Sequence, residues 1–134
     1  MMSENSFHKN FSSNTPPQTF SVVEKLKNTY LIWYSYYLII PKIHRYSLGQ
    51  KIDILFTDAI ELIVNATFIS KTKKLPVVKL AARKIDTLKF FLLILWETKS
   101  LDSKKYIQLS VKLNELGKIL NGWQGQLIKQ NSPK

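Results

Sequence analysis

Seven cations lie between Lys71 and Lys89: Lys71, Lys73, Lys74, Lys79, Arg83, Lys84 and Lys89. A single carboxylate, Asp86, opposes them, so this stretch carries an excess of six positive charges. Lys79 and Arg83 are four residues apart, one helical turn, and project together. A smaller group, Lys42, His44 and Arg45, lies in a turn with Lys51 just beyond, and a third set is Lys104, Lys105, Lys112 and Lys118. Cations spread in this way can neutralise successive phosphates, but they offer no pattern for reading base edges. The binding expected of Lys42, Arg45, Lys51, Lys71, Lys73, Lys74, Lys79, Arg83 and Lys84 is therefore salt-sensitive and weakly sequence-specific, with RNA or DNA as partner. Charge alone also suits an acidic protein or an anionic membrane, or a solvated face that keeps the protein soluble.

Catalytic arrangements are missing. His8 and His44 belong to no metal-spaced pair, and no Glu has a His three residues on, as a di-metal carboxylate bundle requires. Cysteine is absent, which removes disulfides, thiol catalysis and thiolate metal sites. Asp53, Asp58 and Glu61 read as an exposed polar face that pairs with neighbouring lysines. There is no phosphate-cradling glycine loop and no nucleophile motif. The expectation is a non-enzymatic binding protein with no cofactor, no metal and no small-molecule substrate.

The elements that position these charges follow from an apolar seam repeated four times. It runs Val23, Leu26, Tyr30, Trp33, Tyr37, Ile40; then Leu48, Ile52, Leu55, Ala59, Leu62, Ala66; then Val78, Ala81, Ile85, Leu88, Leu92, Leu95; then Tyr106, Leu109, Leu113, Leu116, Leu120, Trp123. Steps of three and four keep one helix face apolar. Four such helices with short connections specify an all-α, up-down antiparallel four-helix bundle. The 134 residues suffice for one domain, and 45% apolar with 22% charged residues is an ordinary globular balance. Twenty Lys and Arg against nine Asp and Glu leave a formal charge of +11, laid over the outside.

Residues 1–20 read as a flexible polar tail, rich in Ser, Asn, Thr, Gln and Pro, with Phe20 the last residue to pack. Residues 21–128 read as the bundle and 129–134 as a C-terminal tail. Ser21-Val22-Val23-Glu24 and Ser47-Leu48-Gly49-Gln50 fit capping boxes that open the first two helices. Pro41 stops the first, Lys71–Lys74 forms a basic turn, and Pro76 suits the first turn of the third. Ser100 or Asp102 caps the fourth, which ends between Asn121 and Ile128, with Gly122 a candidate C-cap. Gly117 inside that helix costs roughly 1 kcal/mol relative to Ala, for which close helix contact is the expected reason. No secretory leader is visible. The longest apolar runs fall well short of the about 20 residues of a membrane span, so a cytoplasmic protein is expected.

The first and third helices are apolar on more than one face. Tyr34, Tyr36, Phe90, Leu93 and Ile94 lie off the seam, and such surplus marks either a subunit interface or a generous core. We take these five residues as the candidate oligomer contact.

The segment Pro41-Lys42-Ile43-His44-Arg45-Tyr46-Ser47-Leu48-Gly49-Gln50-Lys51-Ile52 resembles the turn and second-helix start of the accessory variability determinant (Avd) of diversity-generating retroelements. Leu75-Pro76 and Leu116-Gly117-Lys118-Ile119-Leu120-Asn121-Gly122-Trp123 add to the resemblance, which covers roughly residues 23–124. The wider group includes four-helix-bundle proteins encoded in 23S ribosomal RNA intervening sequences. The resemblance implies a homopentameric basic barrel. It also implies a partner of a reverse transcriptase that binds template RNA and supports mutagenic cDNA synthesis and retrohoming. The alternative it leaves is a structural bundle of the intervening-sequence type with an unknown protein partner. Two features depart from the family: Pro41 to Arg45 is shorter than the basic stretch often found there, and the N-terminal segment has no counterpart. A membrane-surface role is disfavoured, because the charge does not form one basic face opposite an exposed apolar one.

Overall fold

Helical periodicity governs the four long helices. A computed structural model describes the backbone of residues 17–132 and the side chains of residues 21–132. The expectations for residues 1–16, the Phe20 side chain and residues 133–134 lie outside the described residues. The elements are α1 (Pro17–Tyr37), a short α2 (Lys42–His44), a π-helical turn (Arg45–Gly49), α3 (Gln50–Ala66), α4 (Lys71–Glu97) and α5 (Ser103–Asn131). There is no strand among the described residues. Four long helices pack in a cycle: α1 against α3 and α5, and α4 against α3 and α5.

The core sits where the seams meet. On α4, Val78, Ala81, Ile85, Leu88, Leu92 and Leu95 are all completely buried. On α5, Leu109, Leu113, Leu116, Leu120 and Trp123 are buried as expected, and Leu127 extends the row. On α3, Ile52, Ala59 and Ala66 are completely buried as expected, but two intervening positions of the seam shift by one residue. Phe56 and Ile63 are fully buried, whereas Leu55 and Leu62 are half-buried. The aromatic content of α1 accounts for Phe56. Trp33 stacks on Tyr37 at 5.3 Å and on Phe56 at 6.2 Å, and Tyr30 meets Phe56 edge-on at 5.7 Å.

One carboxylate enters this aromatic cluster. Asp53 accepts a hydrogen bond from the indole Nε1 of the fully buried Trp33 at 3.2 Å. Burial, and next the Asp53 carboxylate beside it, push the Tyr30 hydroxyl up to about 12. Asp53 therefore joins α3 to α1 and is not part of the exposed polar face expected of it. Asp58 does lie on that face, paired with Lys84 at 3.3 Å, and Glu61 is exposed.

Several boundaries differ from the sequence reading. The first helix begins at Pro17, so Ser21 lies within it rather than capping it. Pro41 is the N-cap of α2, its carbonyl accepting from the amides of His44 and Arg45 at 2.9 and 3.1 Å. The Lys42–Arg45 segment, expected to be a turn, is thus helical. The Ser47 hydroxyl turns back to the carbonyls of Ile43 and His44 instead of capping. Lys71–Lys74 is the first turn of α4 rather than a loop, and Pro76 lies inside that helix. Its missing amide would have bonded the Thr72 carbonyl, which lies in the exposed first turn. The α4 end is close to expectation: Ser100 and Lys99 amides bond the Leu95 and Trp96 carbonyls at 2.9 and 3.0 Å, with Lys99 in the left-handed region at φ 65. Asp102 caps α5, accepting from the Lys105 amide at 2.9 Å.

Two glycine assignments change as well. Helix α5 runs on through Gly122 to Asn131, and a Cβ at Gly117 or Gly122 would meet nothing within 4 Å. Close contact belongs to Gly49 instead, where a Cβ would lie 2.9 Å from Tyr37 Cε1 and 3.2 Å from the His44 carbonyl oxygen. The Tyr37 ring is held by its stack on Trp33 and cannot yield easily. Gly49→Ala is expected to cost about 1–3 kcal/mol by overpacking. Gly117→Ala is expected to gain roughly 1 kcal/mol from helix propensity. Urea unfolding of the two variants checks the opposite signs.

Candidate nucleic-acid interface

Of the nine cations expected to meet phosphate, Lys42 and Arg45 lie just before α3 and Lys51 in its first turn, Lys71, Lys73 and Lys74 open α4 just beyond the far end of α3, and Lys79, Arg83 and Lys84 follow as α4 runs back along α3. The helix rise separates Lys51 from Ala66 by roughly 20 Å. Lys84 lies on the α3-facing flank of α4, next to Asp58.

The environments of these cations differ. The Arg45 guanidinium is turned inward, Nε and Nη2 donating to the Ile40 carbonyl at 3.1 and 2.9 Å. It closes the chain where α1 has ended. Lys84 is engaged by Asp58. Lys74 is only 8% exposed. Its stem is buried against the bundle, and burial, with the Lys71 charge next in weight, holds its ammonium below the ordinary lysine range. Lys42, Lys51, Lys71, Lys73, Lys79 and Arg83 are exposed and make no ion pair among the described residues. The row from Lys71 to Arg83 extends roughly 18 Å along α4. In the third basic set, Lys105 is held by Asp102 at 3.6 Å and lies 5.4 Å over the Tyr36 ring, while Lys104 and Lys118 are exposed.

The apolar surface is placed as follows. Phe90 is 63% exposed and Tyr34 46%, while Leu93 and Ile94 are half-buried. Tyr36 is half-buried, and its hydroxyl donates to Gln108 Oε1 of α5, which makes it an intrachain contact. More apolar exposure gathers around the α1–α2 junction than the five chosen residues suggest. Leu38, Ile39, Ile43 and Tyr46 are all more than half exposed. The signal for them was Pro41, which interrupts the periodic pattern and so releases the flanking residues from a single seam.

No group of three His, Asp or Glu among the described residues is arranged to hold a metal ion. No helix among them is long and apolar enough to cross a membrane. Four surface hollows hold 110–190 Å³, below the roughly 300 Å³ at which small-ligand pockets begin. The exposed cations of α4 make a basic helical surface suited to charge neutralisation. No family model matches the chain, and no curated protein or solved structure does either.

The buried Lys74 gives this surface a pH signature. Its folded value lies below its unfolded value, so between the two the unfolded chain binds the extra proton. Stability therefore rises with pH across that window and the penalty is full below it. Lys74→Met is expected to stabilise the protein at neutral pH by about 1 kcal/mol, because it removes a poorly solvated charge and keeps the stem volume. The gap between variant and parent closes as pH approaches the ordinary lysine value of 10.5. Thermal unfolding from pH 7 to 10.5 measures it.

Proposed function

We propose that this protein is a non-enzymatic, basic helical adaptor that holds RNA by its phosphates and presents a protein surface to a reverse transcriptase. The observation that carries the nucleic-acid part is that Lys71, Lys73, Lys79 and Arg83 of one helix are all exposed and make no ion pair among the described residues. The polymerase part rests on the resemblance to the accessory variability determinant of diversity-generating retroelements. Under this reading the protein supports mutagenic cDNA synthesis and retrohoming in the cytoplasm, without a cofactor. DNA is held by the same phosphate contacts.

The bundle is proposed to be up-down. Three contacts support that order: His44 Nδ1 with Ser100 Oγ at 2.5 Å, Tyr36 with Gln108, and Asn131 Nδ2 donating to the Lys71 carbonyl at 3.2 Å. They tie the end of α1 to the start of α5, and the end of α5 to the start of α4, as antiparallel neighbours require. The apolar exposure of Tyr34, Phe90 and the α1–α2 junction supports assembly into an oligomer, with the pentamer implied by the family resemblance.

The charge-reversed variant Lys79→Glu/Arg83→Glu tests the proposal. It is expected to weaken binding of unrelated RNA sequences alike, by tenfold or more in 50 mM salt, and to flatten the salt dependence. Light scattering on both proteins is expected to give the same multiple of 15.6 kDa, which separates lost binding from lost assembly. Unchanged RNA affinity would remove the interface from α4. A monomeric parent would remove the assembly.

A further inference from the structure

Apolar surface gathers where α1 turns into α2. Among the described residues seven large hydrophobics are at least 58% exposed, and four of them, Leu38, Ile39, Ile43 and Tyr46, fall within residues 38–46. The fold dictates this exposure. Ile40, between them, is buried, and Arg45 donates to its carbonyl and closes the chain on itself. The side chains flanking Ile40 are thereby left outside the core. The segment is also braced. His44 Nδ1 meets Ser100 Oγ of the α4–α5 connection, and Gly49 lies against the Tyr37 ring. Contiguous exposed hydrophobics mark an interaction site, and a braced one loses little freedom on binding.

Charge identifies what this patch fits. From Lys25 to Lys51 the chain has five cations and no carboxylate. Lys42 lies within the patch, and Lys51 follows Tyr46 by about one turn of helix. On the other side, Lys99 and Ile39 line the same hollow of 180 Å³. These three lysines are exposed and make no ion pair among the described residues. At this end of the bundle Lys42, Arg45, Lys51, Lys99, Lys104 and Lys105 stand against Asp53, Glu97 and Asp102, an excess of three. Asp53 already receives the Trp33 indole, and Asp102 caps α5 and pairs with Lys105. The patch is therefore apolar at its centre and cationic at its rim. Its complement is an apolar surface with carboxylates around it.

We infer that the α1–α2 junction is the docking surface for an acidic amphipathic helix of a protein partner, its apolar side on Leu38, Ile39, Ile43 and Tyr46 and its carboxylates on Lys42, Lys51 and Lys99. This rests on the protein-partner half of the proposed function and supplies the chemistry of that partner. A helix is chosen because no strand among the described residues offers an edge, and the amides of Leu38, Ile39, Ile40, His44 and Arg45 already have acceptors. Contact is therefore made through side chains. A polyanion would neutralise the lysines but leave the four apolar side chains in water. An isologous contact with a second copy would set Lys42 and Lys51 against their own counterparts. Lys42 and Lys51 are thereby assigned to the protein partner rather than to phosphate.

The test uses the full chain and two synthetic helical peptides with the same leucine stripe, one flanked by Glu and the other by Lys. Calorimetry is expected to show the Glu peptide binding about tenfold or more tightly than the Lys peptide. Ile43→Asp is expected to weaken the Glu peptide about tenfold or more, and Lys42→Glu/Lys51→Glu to reverse the preference. Each substituted side chain is exposed, so the fold tolerates the change. RNA affinity is expected to be unchanged in Ile43→Asp. If the two peptides bind alike, or Ile43→Asp binds as the parent does, the surface is wrong while RNA binding through α4 stands. A reverse transcriptase that binds parent and Ile43→Asp equally would also overturn the surface and keep the proposed function. One that binds neither, with the peptides behaving as expected, would remove that polymerase and keep the surface. Vesicles of phosphatidylserine and phosphatidylcholine that bind the parent more tightly than the Glu peptide, and lose it in Ile43→Asp, would assign the patch to a membrane and overturn the proposal. Loss of assembly in Ile43→Asp by light scattering would assign it to a second copy and overturn it as well.

Discussion

The governing constraint is electrostatic: the chain has more than twice as many cations as carboxylates, and its scaffold has nowhere to hide the excess. The core is apolar and closed, with the α4 seam completely excluded from water. Most of the charge is therefore forced outward, with Arg45 and Lys74 the exceptions. Four ion pairs occur among the described residues, three of them between neighbours three apart on the same helix. Pairs of that kind contribute only a few tenths of a kcal/mol. They leave the α4 row uncompensated, and the same helix presents both a buried seam and a cationic outer surface. Under the proposed function, a polyanion would relieve that repulsion.

A second organising contact explains how the helices keep their places. Trp33 fills the space between α1 and α3, stacked between Tyr37 and Phe56, and its indole needs one acceptor. Asp53 supplies it. The Tyr37 ring in this stack is also what forbids a side chain at Gly49, so the π-helical turn and the aromatic cluster fit together as one joint. Beyond that joint the chain exposes Leu38, Ile39, Ile43 and Tyr46. The molecule is thus basic along α4 and greasy at the α1–α2 junction, a division that suits nucleic acid on one surface and protein on another.

Much of the architecture was legible in the spacing of apolar residues. The α4 and α5 seams and the Asp102 cap needed only helical periodicity and local capping chemistry. Boundaries near proline were not, because Pro41 and Pro76 are each compatible with a stop, a cap or an interior position, and packing decides among them. The α3 seam shifted because Phe56 answers aromatics that lie 23 and 26 residues earlier, information no local window holds. Within the basic set, residue type alone could not separate the exposed Lys79 and Arg83 from Arg45, which bonds a carbonyl, or Lys74, which is buried. Those differences are set by tertiary contacts.

The most direct measurement is the affinity of the full chain for a single-stranded RNA as salt is raised from 50 to 300 mM. If Lys71, Lys73, Lys79 and Arg83 each displace a counterion, log affinity falls linearly against log salt with a slope of roughly −3. A slope near zero, or no binding at the lowest salt, would contradict the claim that this surface exists to meet a polyanion.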